Sequence, residues 1–124
     1  MLPAAHRLRR SKDFAHTVRR GRRSSRGSVV VHLTLPATEP AETGIVLEPA
    51  KAGFVVSKAV GGAVVRNKVK RRLRHLVAGQ LHRLPPGSVI VVRALADAGV
   101  SAYKGMALDL EKALDGALRP KERR

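Results

Sequence analysis

Residues 66–74 hold six lysines and arginines in nine positions, yet Val69 and Leu73 sit among them at helical spacing. Any fold must bury one side of this segment while leaving the charges outside. Extended outward, Val65, Val69, Leu73, Leu76 or Val77, Leu81 and Leu84 recur every three or four residues. That period predicts an amphipathic helix running from the Gly61 and Gly62 turn to the stop at Pro85, Pro86 and Gly87. Arg66, Lys70 and Arg74 form one i, i+4 row, and Asn67 with Arg71 forms the next, so these side chains converge beside the buried stripe. Like charges at that spacing repel, and cations in the first turn oppose the helix dipole at about 0.3–1 kcal/mol each. A bound phosphate relieves both penalties. Taken alone, the run reads equally well as a solvated face or as an anion grip.

The rest of the chain favours the grip. Its 124 residues carry a formal net charge of +16, which spreads a positive field over much of the surface. A polyanion is the expected partner, and no apolar stretch is long enough to span a bilayer. RNA or DNA leads as a class, with affinity dominated by phosphate neutralisation. The length fits a single domain over residues 1–124. No cysteine is present, which excludes a disulfide scaffold and thiolate chemistry and is compatible with a reducing cytoplasm. The first fourteen residues lack the apolar core of a secretory signal; they resemble a transit peptide weakly and read better as part of a binding surface.

Along the chain, helices and strands alternate. Ser11 suits the N-cap of a short helix ending near Gly21, with Asp13 in its first turn and Phe14 and Val18 on one side. Residues 19–27 read as a basic, flexible loop, either a solvated connector or, the favoured reading, an arm that contacts phosphate. Residues 28–35 form a β-branched strand halted by Pro36, in which His32 reads as structural. Residues 36–50 turn acidic and proline-bearing, with 44–47 as a possible short strand, in a connection facing away from the polyanion. Residues 52–58 predict a strand that runs through the glycine turn into the basic helix. This is no P-loop, since neither GxxxxGK[ST] nor GxGxxG follows it. Residues 88–93 are an almost unbroken apolar run, expected of a central strand covered on both faces. Leu110, Leu114 and Leu118 mark a last helix stopped by Pro120. The order αβββαβα predicts an α+β sandwich, a sheet with helices packed on it.

Catalysis by the protein itself finds little support. The acids are scattered, no HExxH-type spacing occurs, and no catalytic or metal-ligating residue is assigned. His75 and His82 lack a third ligand and read as surface or phosphate-contacting residues. Ser57 and Lys58, adjacent on a strand, point to opposite faces and make no dyad. Two phenylalanines and one tyrosine are too few for a stacking platform on a sheet. Phe14, among Arg9, Arg10, Lys12 and Arg19, either stacks on a base at the mouth of a cleft or anchors its helix to the core.

Three motifs in order now carry a resemblance. Residues 7–14 followed by Gly21, residues 53–58, and residues 60–67 continuing through Arg74 together resemble the bacterial ribonuclease P protein components, along most of the chain. The resemblance implies a subunit that binds a large catalytic RNA and helps it remove the 5′ leader of precursor tRNA, with Mg²⁺ chemistry located mainly on the RNA. It assigns contact with the catalytic RNA to Arg66, Asn67, Lys68, Lys70, Arg71 and Arg74. Leader binding falls to the cleft between the first helix and the sheet, here Phe14, Val18, Lys12 and Lys58. The implied partners are the ribonuclease P RNA and precursor tRNA, with neither DNA nor a membrane, in the cytoplasm. The implied fold is that of the second domain of ribosomal protein S5, with a left-handed βαβ crossover, against a rule that makes such crossovers right-handed in about 98% of cases. Val18 stands where the family usually has a second aromatic. Lys68 holds the third position of the RNR motif without a guanidinium fork. Ala59 and Gly62 replace a common Lys and Asn. The rival expectations are a structural protein of ribosomal RNA with no role in cleavage, and a nuclease that acts without RNA.

Overall fold

The computed structural model describes residues 2–36, 48–100 and 102–119. Within them three α-helices pack on a four-stranded sheet of order β1-β2-β4-β3. The elements are α1 (Ser11–Arg20), β1 (Arg22–Arg26), β2 (Val29–Thr34), β3 (Lys51–Val56), α2 (Ala63–Ala78), β4 (Val89–Ala94) and α3 (Tyr103–Leu118). The mixed α+β character and the αβββαβα order agree with the sequence reading. The proposed strand at 44–47 lies outside the described residues, so the three strands before α2 are not the three expected.

The extra strand is β1, in the segment expected to be a loop. Arg22 to Arg26 pair antiparallel with β2, Arg26 opposite Val29, which leaves Gly27 and Ser28 as a two-residue hairpin turn. Gly27 adopts φ 54°, and a glycine of positive φ at the first turn position is what tight hairpins favour. Arginines suit β1 because it is an edge strand, where charge discourages further pairing. The hairpin is held from α3, where the Asp109 carboxylate accepts from the Ser28 backbone N–H at 3.1 Å and its hydroxyl at 3.3 Å. Arg22 donates to Ala117 O and Arg119 O, satisfying carbonyls at the end of α3.

Two boundaries also move. Arg10, rather than Ser11, is the N-cap of α1 and contributes no side-chain bond; Ser11 is its first helical residue. The basic helix ends at Ala78 with Gly79 as its C-cap, and Leu81–Arg83 continue as a separate 3-10 turn. Glycine's low helix propensity stops the helix before the prolines do.

Strand alternation divides the sheet into two faces. Val29, Val31 and Leu33 of β2 and Ile90, Val92 and Ala94 of β4 join Val69, Leu73 and Val77 of α2 and Met106, Leu110 and Leu114 of α3 in one core. The opposite face carries Val30, His32 and Thr34 of β2, Val91 and Arg93 of β4 and Gly53 of β3. Here α1 crosses, buried Thr17 meeting the Thr34 hydroxyl at 3.2 Å. Covered on both sides, β4 is the central strand expected, with Ile90, Val91 and Val92 all buried. β3 and β4 are parallel and joined through α2. At the other edge of β3, Leu8 donates its N–H to Ala52 O at 2.9 Å and Leu2 is buried in the core. The N-terminal segment therefore lies against β3 and brings Arg7, Arg9 and Arg10 beside it.

Candidate nucleic-acid interface

The helix α2 solves the problem posed by its composition. Val69, Leu73 and Val77, one turn apart, are buried against the sheet, and a fully buried aliphatic side chain contributes about 1.5–3 kcal/mol. That burial holds the helix despite its charge. On its flanks Arg66 and Lys70 are half-buried, while Asn67, Lys68, Arg71 and Arg74 are exposed. The Arg66 Nε is buried without a hydrogen-bond partner.

A cleft of about 460 Å³ opens at the β3 edge, walled by Arg7 and Arg9 of the N-terminal segment, Phe14 of α1, Gly53 of β3, and Lys70 and Arg74 of α2. Phe14 lies so close over the strand that a Cβ at position 53 would stand 2.2 Å from its Cζ. Only glycine admits the ring there. Phe14 is half-buried; the tip of its ring rests on the strand and its side chain also lines the cleft, a position compatible with anchoring the helix and with stacking on a base. Beside this cleft, Arg7, Arg71, Arg74 and His75 line a smaller hollow of about 270 Å³. On the other side of the Arg7 to Arg10 wall, a third of about 470 Å³ is lined by Arg7, Arg9, Arg10 and Lys51 with Asp13 and Glu48. Glu48 pairs with Lys51 at 2.9 Å, and that hydrogen bond and charge lower its carboxyl pKa.

The two expected sets of residues thus share part of one cleft. Phe14, expected at the leader, shares walls with Lys70 and Arg74, expected at the catalytic RNA. Lys12, Val18 and Lys58 are exposed and outside the walls of that cleft. Val18, 42% exposed, is an apolar side chain left open on α1. Lys58 begins the 3-10 turn Lys58–Val60 rather than extending the strand.

Sequence reasoning missed Arg7 as a wall of all three hollows, and it missed a basic row on the α1 face of the sheet. Arg23 of β1 lies directly opposite His32 of β2, and Arg93 of β4 follows Val91, the other neighbour of His32, by two residues on the same face. One signal existed: Gly27 and Ser28 just before the β-branched run suit a hairpin turn, and the register of that hairpin places Arg23 beside His32. The acids serve the framework elsewhere, Asp109 at the hairpin and Asp115 in an ion pair with Arg83. The chemistry of such an arrangement suits neutralising and orienting a polyanionic chain; among the described residues no group of three or more His, Asp or Glu could hold a metal ion.

Comparison with known proteins places the chain among relatives of one kind. The family model described as Ribonuclease P matches residues 2–118. The chain is 59% identical over 118 residues to the ribonuclease P protein component of Streptomyces bikiniensis, covering 95% of this chain and 96% of that one. It is 56% identical over 134 residues to that of Salinispora tropica, covering 100% and 98%. Among solved structures it is similar to the Staphylococcus aureus RNase P protein, with a TM-score of 0.72 at 25% identity over 91% of this chain and 95% of that one. The Thermotoga maritima RNase P protein shares the fold, with a TM-score of 0.69 at 22% identity over 94% and 98%.

Proposed function

The chain belongs to the ribonuclease P protein family, and from that premise we infer how its clefts serve the removal of 5′ leaders from precursor tRNA. As a subunit of this endoribonuclease it acts in tRNA 5′ processing. That membership favours a role in cleavage over the ribosomal scaffold, which would need only the charge. The finer reading is that α2 grips the catalytic RNA through Arg66, Asn67, Lys68, Lys70, Arg71 and Arg74, while the cleft at Phe14 holds the single-stranded leader.

One observation carries it: Phe14, fitted over Gly53, stands in the same walls as Arg7, Arg9, Lys70 and Arg74. A base stacked on an aromatic ring gains about 1–3 kcal/mol without sequence choice. Cations on both sides then neutralise the phosphates that would otherwise repel one another as leader and catalytic RNA approach. Lys70 and Arg74, reachable from either chain, would fix the distance between them. Lys12 and Lys58 extend the positive surface beyond the cleft, and Val18 offers an apolar contact where an aromatic would stack.

The chemistry of leader hydrolysis calls for Mg²⁺. In this reading the ion is held mainly by the RNA, and the protein's part is to bind and orient. The partners proposed are therefore the ribonuclease P RNA and precursor tRNA, in the cytoplasm. No helix among the described residues is long and apolar enough to cross a membrane.

The test is 5′-leader cleavage at low Mg²⁺ by the cognate RNA with and without this protein, beside a protein-only control. Stimulation without protein-only cleavage is expected. No stimulation would return the scaffold reading, and cleavage by protein alone would overturn the division of labour.

A further inference from the structure

β1 ends the sheet, and it pairs with β2 through Arg26 opposite Val29, Ser24 opposite Val31 and Arg22 opposite Leu33. Gly27 has φ 54° and Ser28 no positive φ, the pattern of a type II′ turn, whose closing residues Arg26 and Val29 are a hydrogen-bonded pair. Bonded and unbonded pairs alternate along an antiparallel ladder. Arg22, Ser24 and Arg26 therefore bond to β2, and the N–H and C=O groups of Arg23 and Ser25 point away from the sheet. The other side of β2 has the same phase, since Leu95 donates its N–H to Ser28 O at 2.8 Å on the β4 side. Among the described residues no backbone hydrogen bond reaches those four outward groups. The edge is nevertheless held rigidly. Arg22 bonds to carbonyls at the end of α3, Asp109 holds the turn, and α3 passes so close that a Cβ at Gly116 would stand 2.4 Å from the Ser24 Oγ.

We propose that this edge docks an extended acidic segment of a partner protein, which joins the sheet as an added strand beside β1. A peptide strand repeats N–H and C=O at the edge's own spacing, about 7 Å for two residues at ~3.4 Å each. RNA phosphates would meet the two N–H groups and leave the two carbonyls without donors. Charge then selects among peptides. Arg23 and Arg26 lie on opposite faces of β1, three positions apart; both are exposed, and neither pairs with a carboxylate among the described residues. A partner strand with carboxylates opposite both, and so three residues apart itself, adds two cross-strand ion pairs to the backbone bonds. A second copy of β1 would set arginine against arginine and is rejected on the same ground. Because α3 already braces the edge, only the incoming segment has to be ordered.

The test is amide hydrogen exchange by NMR at constant ionic strength, with a blocked peptide of about six residues, a usual strand length, β-branched apart from two glutamates three places apart. In the free protein the Ser24 and Arg26 amides should exchange slowly and those of Arg23 and Ser25 fast. Saturation with the peptide should slow Arg23 and Ser25 at least about tenfold. The same peptide N-methylated along its backbone keeps its charges but cannot donate, and should lose that protection. S25P removes an outward donor and spares the ladder to β2, as proline on a sheet edge does; it should weaken peptide binding about tenfold or more. The comparison of the two peptides on the wild-type protein decides the matter if S25P fails to fold. Unchanged exchange of Arg23 and Ser25 at saturation, or equal binding of the N-methylated peptide, would overturn the inference. Slowing of the same two amides by protein concentration alone would give the edge to a second copy, and equal slowing by an oligoribonucleotide would give it to RNA; either overturns the choice of an acidic peptide.

Discussion

Gly53 has no side chain at the one point where the Phe14 ring needs room. Alanine there would force the ring off the strand, at about 1–3 kcal/mol of overpacking. G53A is therefore expected to lower the melting temperature and to weaken binding of precursors with leaders more than of those without; equal loss on both substrates would detach Phe14 from the leader. His32 sets a second expectation. Its folded pKa lies below its unfolded one, so the unfolded chain binds more protons and this group favours folding above about pH 6.5, losing that contribution as pH falls through its folded pKa. A thermal melt series from about pH 8 to about pH 5 should slope downward, and less so in H32Q. The sequence marked Phe14 as a residue of two possible uses, and that was legible because an aromatic among cations is rare here. His32 read as structural, since nothing in a strand's own residues tells which charges its neighbours will set beside it.

The element α2 joins a buried stripe to an open row, and its two functions separate under mutation. Replacing Arg66, Lys70 and Arg74 with alanine removes three cations and leaves Val69, Leu73 and Val77 in the core. Fold and melting cooperativity should persist. The slope of log affinity against log salt for RNA should flatten by about two, since each lost phosphate contact removes roughly 0.7 to 0.9. An unchanged slope would take the grip away from this face. Period and charge made α2 legible in the sequence, because both are properties of local spacing. Its end was less so: Gly79 terminates the helix well before the prolines, and the apolar positions Leu81 and Leu84 that seemed to extend it belong to a following turn and its flank. β1 was missed for a comparable reason. Its residues Arg22 to Arg26 show no apolar alternation, and only pairing with β2 and bracing by Asp109 and Arg22 contacts make them a strand.

Over the whole molecule, 25 basic side chains oppose 9 acidic ones, so compact folding works against self-repulsion. Raising ionic strength from about 0.01 M to about 0.15 M shortens the Debye length from about 30 Å to about 8 Å. The melting temperature should therefore rise with salt, and rise further with RNA, which binds the folded form. A melt insensitive to salt would mean that the surplus is neutralised within the chain. The sequence by itself determined the α+β class, the charge, the amphipathic helix, the central strand and the family, since composition, period and motif are written in neighbouring residues. Tertiary structure alone decided that Phe14 shares a cleft with Lys70 and Arg74, that Arg7 walls three hollows, and that Arg23 and Arg93 flank His32. These residues are far apart in the chain, and what joins them is strand register and the close approach permitted at Gly53, both set by packing across the sheet.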